Sequence, residues 1–151
     1  MSVVHRFLEA SPRDVFDVLS DGWLFPSWVV GASRIRDVER EWPRAGAKIH
    51  HSFGVWPLVI DDSTTLLEWD APRRAVFLAR GWPAGEARVG IDVADRAGGC
   101  FVTMTEEAVS GPGALVPDAV LDVPLTWRNH EALRRLAWLA EGRLRDTVHP
   151  T

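Results

Sequence analysis

Tyrosine is absent from this 151-residue chain, cysteine occurs once, as Cys100, and lysine once, as Lys48. A single cysteine excludes an internal disulfide and a cysteine-rich metal site, and it suits a reducing, cytoplasmic setting. No apolar run approaches the length of a bilayer span, and the opening MSVVHRFLEASPRD lacks the basic-then-apolar order of an export signal. The expectation is a cytoplasmic protein with no membrane insertion. There is no P-loop and no G-x-G-x-x-G between a strand and a helix, so no nucleotide cofactor is indicated. No serine sits in G-x-S-x-G, and Cys100 follows Gly98-Gly99 without an activating neighbour. His50 and His51 are adjacent, so on a strand they point to opposite faces; with no HExxH-type spacing elsewhere, no metal site is expected. A formal net charge of -4 lacks the basic face that a nucleic-acid partner requires.

What is present is ordinary for a globular chain: 46% apolar and 25% charged residues, enough for one domain over residues 1–151 with its own core. The eight tryptophans add large flat apolar surfaces. The last third organises the rest. Leu133, Leu136, Ala137 and Ala140 fall at offsets of three, four and seven, on one face of a helix predicted over residues 117–141. The same face continues backward through Asn129, Leu125 and Leu121, so one amide interrupts an apolar stripe and needs partners. Gly142 is the expected stop.

Upstream, residues 3–9 read as a strand, and Ser11-Pro12 with Asp14 reads as the capped start of a short helix bearing Val15, Phe16 and Leu19. Pro26 then splits WLFPSW into a second short helix or bend. Beyond it, runs at 33–39, 47–53, 63–69, 74–80, 86–95 and 100–109 are separated by Gly, Pro and Asp turns, the pattern of an antiparallel meander. One strand, two short helices, six strands and one long helix leave a single apolar sheet face for the helix to cover.

In this order the segments resemble the START-like, or SRPBCC, superfamily, in particular its small bacterial members labelled polyketide cyclase/dehydrase or lipid-transport-like. The matching residues are Ala10-Ser11-Pro12, the stretch from Val15 to Asp21, Trp28, Trp42-Pro43 with Gly46, the stretch from Val102 to Glu106, and Trp127-Arg128-Asn129 with Leu133 and Leu136. The resemblance implies an α+β helix-grip fold, a seven-stranded antiparallel sheet curved around the C-terminal helix. Such a fold commonly encloses a cavity, but carriers, receptors and cyclases all share it, so it does not decide function.

Strand alternation nominates the residues facing that cavity. Val102, Met104 and Glu106 share one face of the last strand, and Val89, Ile91 and Val93 form a row on the strand before it. On residues 74–80 the expected inward set is Val76, Leu78 and Arg80, with Phe77 and Ala79 competing for the same face. Arg80, Glu106 and His51 would then meet at one end of the cavity. They either anchor a ligand and move protons or, for Arg80 and Glu106, neutralise each other. Phe25, Trp28, Phe53 and Trp56 are placed at the mouth, in a loop over residues 53–57 and the short helices, or else fill the core. Asn129, Leu133 and Leu136 are the helix's contribution. Trp127 and Trp138 share one azimuth, which suits sheet packing or a homodimer contact.

The function expected on these grounds is binding of a small hydrophobic molecule, such as a lipid, polyketide or aromatic metabolite. A cyclase/dehydratase using Glu106, Arg80 or His51 in the same cavity is the second possibility. The third is a protein-interaction module whose interior is filled by its own tryptophans.

Overall fold

A computed structural model describes residues 1–81 and 85–148. Strand β1 (Ser2–Leu8) leads to helix α1 (Pro12–Ser20). A capping box sets where α1 begins: the Asp14 amide donates to Ser11 Oγ at 3.1 Å, and the Ser11 amide donates to the Asp14 carboxylate at 3.0 Å. A single 3-10 turn, Gly22–Leu24, runs into the short helix α2 (Phe25–Trp28). Six strands follow: β2 (Ala32–Val38), β3 (Lys48–Val55), β4 (Leu58–Asp70), β5 (Arg74–Gly81), β6 (Gly85–Arg96) and β7 (Gly99–Ser110). Helix α3 (Asp118–Val148) is the last of the described elements. Among the described residues, no helix is long and apolar enough to cross a membrane.

All seven strands form one antiparallel sheet in the order β1-β7-β6-β5-β4-β3-β2. Consecutive strands pair as hairpins, and β1 docks on the free edge of β7. This is the helix-grip fold. Register shifts at 66/68 and 86/87 and within β2 break the ladder where the sheet bends.

Three elements depart from the pattern expected of the sequence. The segment at 53–57 is a tight hairpin rather than a loop, with β3 and β4 extended to Val55 and Leu58. Gly54 makes the hairpin possible: its φ is +99°, and a Cβ there would lie 2.2 Å from the Leu58 carbonyl oxygen. Helix α3 runs on past Gly142 to Val148. Gly142 is not among the residues of positive φ, so it stays helical instead of forming the left-handed cap that a stop requires. On β5 the inward face is that of Ala75, Phe77 and Ala79, the set opposite to the one alternation suggested. Ala75, Val76 and Phe77 are all buried, so hydrophobicity there does not distinguish the faces.

The core lies between sheet and helices. Ile49, Leu66, Phe77, Ile91 and Val102 meet Val15, Phe16 and Leu19 of α1 and Leu133, Leu136, Ala137 and Ala140 of α3. The main packing partners of α3 are β1, α1 and α2, with β7 beside them. It therefore rests on one side of the sheet and bridges the middle strands. Leu133 is 1% exposed, so Leu133→Ala should destabilise the fold by about 2–5 kcal/mol. Urea unfolding measures this, and a loss below about 1 kcal/mol would move Leu133 out of the core.

Candidate functional site

Beneath the bridging part of α3 lies a cavity of about 220 Å³. Side-chain size along one row of the sheet accounts for it. Thr64, Ala79, Ala87 and Ala108 are direct cross-strand partners on β4, β5, β6 and β7, and all four line the cavity. Three consecutive methyl side chains leave unfilled the depth that leucine or phenylalanine would occupy. Phe25 and Trp28 of α2 and Phe53, Phe77 and Val89 of the sheet wall the space, and Leu121, Leu125 and Ala132 of α3 roof it.

At the β7 side the cavity meets Glu106, which is 4% exposed. A buried carboxylate requires partners. Asn129 Nδ2 donates to Glu106 Oε2 at 2.8 Å, and the Arg128 guanidinium donates to Oε1. Asn129 Nδ2 also lies 3.5 Å from Ser2 Oγ, which is 3.1 Å from Thr126 Oγ1. One network thus ties β7, β1 and α3. The amide that interrupts the apolar stripe thus has protein partners, although its side chain borders the cavity.

At the opposite side, His51 is 0% exposed. Its ring stacks on Phe25 at 5.3 Å and 13° and meets Phe53 edge-on at 4.6 Å and 84°. Its Nε2 lies 2.8 Å from Thr64 Oγ1. Burial pushes the imidazole pKa down to about 4, so the ring is neutral at physiological pH. His51 itself stands behind the wall, and Thr64 is the part of the pair that reaches the cavity.

Arg80, Glu106 and His51 do not converge. Arg80 borders the rim, but its side chain is 59% exposed and its Nε lies 3.6 Å from Asp62 Oδ1. Glu106 is met instead by Arg128, which the helix-face pattern did not single out because a long side chain reaches around the helix. Of the expected ligand contacts, Phe25, Trp28, Phe53, Val89, Met104 and Asn129 line the cavity. Ile91, Leu133 and Leu136 are core residues beyond its edge. Leu78 lies on the other face of β5, opposite Thr65 and Arg88. Trp56 is 85% exposed at the hairpin tip, away from the lining. Phe77 and Ala79, weighed only as competitors for the β5 face, line the cavity, and Ala87, Ala108 and Ala132 were missed. Leu121 and Leu125 were legible on the Asn129 stripe, whereas the alanine row becomes visible only once strand register is known.

Residues 2–141 match the family described as Polyketide cyclase / dehydrase and lipid transport. The chain belongs to this family. No curated protein matches it. Among solved structures, a Rhodobacter sphaeroides protein is similar at 20% identity and a TM-score of 0.71, covering 93% of this chain and 91% of that one. A Nitrosomonas europaea protein is similar at 15% identity and a TM-score of 0.70, covering 93% and 94%. The di-domain ARO/CYC StfQ of the steffimycin biosynthetic pathway is similar at 13% identity and a TM-score of 0.71; 94% of this chain aligns with 51% of that one. At these identities the likeness is one of fold.

In this polyketide cyclase/dehydrase and lipid-transport family member, the two buried polar clusters make separate predictions. Arg128→Met leaves Glu106 with one fewer donor and should cost about 1–3 kcal/mol. Adding Glu106→Gln should return part of that loss, a coupling that a double-mutant cycle in urea would measure. For His51, the unfolded chain takes up a proton near pH 6.5 while the folded chain does so only near pH 4. Between those values the unfolded state binds more protons, so the His51 contribution to stability falls with falling pH and levels off below about 4. His51→Phe should flatten the stability profile across that window relative to the unaltered protein, as read from urea midpoints at stepped pH.

Proposed function

We propose that this chain binds a small, largely apolar molecule in the cavity between α3 and the middle strands, as a carrier or receptor. The observation that supports this best is an apolar cavity of about 220 Å³ whose one buried carboxylate already has two side-chain donors. An acid or base that moves protons on a ligand must turn a free valence toward it. Glu106 is engaged by α3, Glu86 on the lining accepts from Ser110 Oγ at 3.0 Å, His51 is held neutral behind the wall, and Arg80 at the rim lies beside Asp62. That arrangement favours holding a ligand over transforming it.

Size sets the scale of the ligand. An apolar cavity of about 150 Å³ accommodates benzene, so this one suits a bicyclic aromatic or a short acyl chain. Phe25, Trp28 and Phe77 form a linked aromatic wall, with ring centroids 5.5 Å apart for the first pair and 6.4 Å for Trp28 and Phe77. Flat faces of this kind favour an aromatic ligand.

The test is equilibrium dialysis with 2-acetylnaphthalene, alongside Ala87→Leu, which places a larger side chain in the centre of the alanine row. The unaltered protein should bind the probe, and Ala87→Leu should weaken binding at least about tenfold while leaving the circular dichroism spectrum unchanged. Equal binding by a folded Ala87→Leu protein would place the probe elsewhere and refute the assignment.

A further inference from the structure

His51 Nδ1 is fully buried and has no hydrogen-bond partner among the described residues. The other ring nitrogen, Nε2, faces Thr64 Oγ1 at 2.8 Å. Two tautomers satisfy that contact. If Nδ1 carries the hydrogen, a buried N–H is orphaned and the Thr64 hydroxyl is spent on Nε2. If Nε2 carries it, the ring donates to Thr64 Oγ1, and the unmet group is a lone pair on Nδ1. An orphaned N–H is the rarer and more costly defect in a protein interior. The second tautomer has a further consequence: Thr64 Oγ1 accepts from His51, so the hydroxyl hydrogen turns elsewhere. Thr64 lines the cavity, and no other hydrogen bond engages its hydroxyl among the described residues.

We propose that Thr64 is the cavity's hydrogen-bond donor, set in that role by His51, and that the ligand carries a carbonyl or similar acceptor oxygen beside an aromatic ring. The proposal rests on the ligand-binding role of the cavity and names the chemistry it selects. The aromatic requirement comes from the neighbours at this end: Phe25 and Phe53 hold His51 between them and also face the cavity. The acceptor requirement comes from Thr64, whose second valence has no protein acceptor among the described residues. This polar point is distinct from Glu106. Thr64 lies on β4 and Glu106 on β7, three strands away, or about 14 Å along the sheet at about 4.8 Å per strand. His51 does not touch the ligand; it is a positioning residue that fixes which way the hydroxyl donates.

The test compares 2-acetylnaphthalene with 2-ethylnaphthalene, which replaces the carbonyl by a methylene at nearly the same size. By equilibrium dialysis the unaltered protein should hold the ketone about fivefold more tightly. Thr64→Val should bring the two probes to equal affinity, and Thr64→Ser, which restores the hydroxyl, should recover the preference. Nitrogen-15 spectra of histidine-labelled protein should show Nε2 of His51 protonated and Nδ1 bare. Equal binding of both probes by the unaltered protein overturns the proposal and leaves the cavity's ligand-binding role standing. Binding of neither overturns both. An Nδ1-protonated ring also overturns it, and the probe preference and the tautomer decide the matter even where Thr64→Val fails to fold.

Discussion

A carboxylate at the edge of an apolar cavity must be met by donors, and among the described residues the long helix brings them. Glu106 is held by Arg128 and Asn129, and through Asn129 and Thr126 the same helix is tied to Ser2 on the first strand. These bonds fix the rotation of α3 about its axis and the side of the sheet on which it rests. Once its polar edge is pinned to β1 and β7, its leucines point where they must: Leu133 and Leu136 into the core, Leu121 and Leu125 over the middle strands.

Asn129 therefore marks a division of labour within one helix. Past it, α3 packs as an ordinary amphipathic helix against α1 and β1. Before it, the helix spans a gap, because the strands beneath carry alanines where they would otherwise carry bulk. Core and cavity are built from the same stripe, with the difference supplied by the opposing sheet. The polar pair His51 and Thr64 sits at the far end of that gap, so the cavity has a chemically distinct group at each side and apolar walls between.

How much of this a sequence reveals depends on the kind of pattern that encodes it. The helical stripe, the Ser11 cap and the alternation of Val102, Met104 and Glu106 are local, repeat with the element's own period, and were legible. So was the helix-grip order of elements. The β5 face was not, because Ala75, Val76 and Phe77 are apolar on both sides and tertiary contact, such as that of Trp28 with Phe77, selects one. Arg128 as partner to Glu106 was not, since a residue's helical azimuth does not limit where a long flexible side chain ends. Gly142 misled because glycine permits a left-handed cap without compelling one. The alanine row was hidden for a different reason: Ala79, Ala87 and Ala108 are unremarkable singly and become a feature only when two hairpin registers are set side by side.

That row also bears on how such a chain diverges. Its residues face empty space, so exchanging them for larger or smaller side chains changes the volume and outline of the cavity while disturbing few core contacts. The tightly packed positions around Leu133, Leu136 and Ile91 have no such latitude. Under the proposed ligand-binding role, selectivity and foldability are thus written at separate addresses, and a lineage can drift from one guest to another through three neighbouring sites without first having to rebuild the scaffold that holds them.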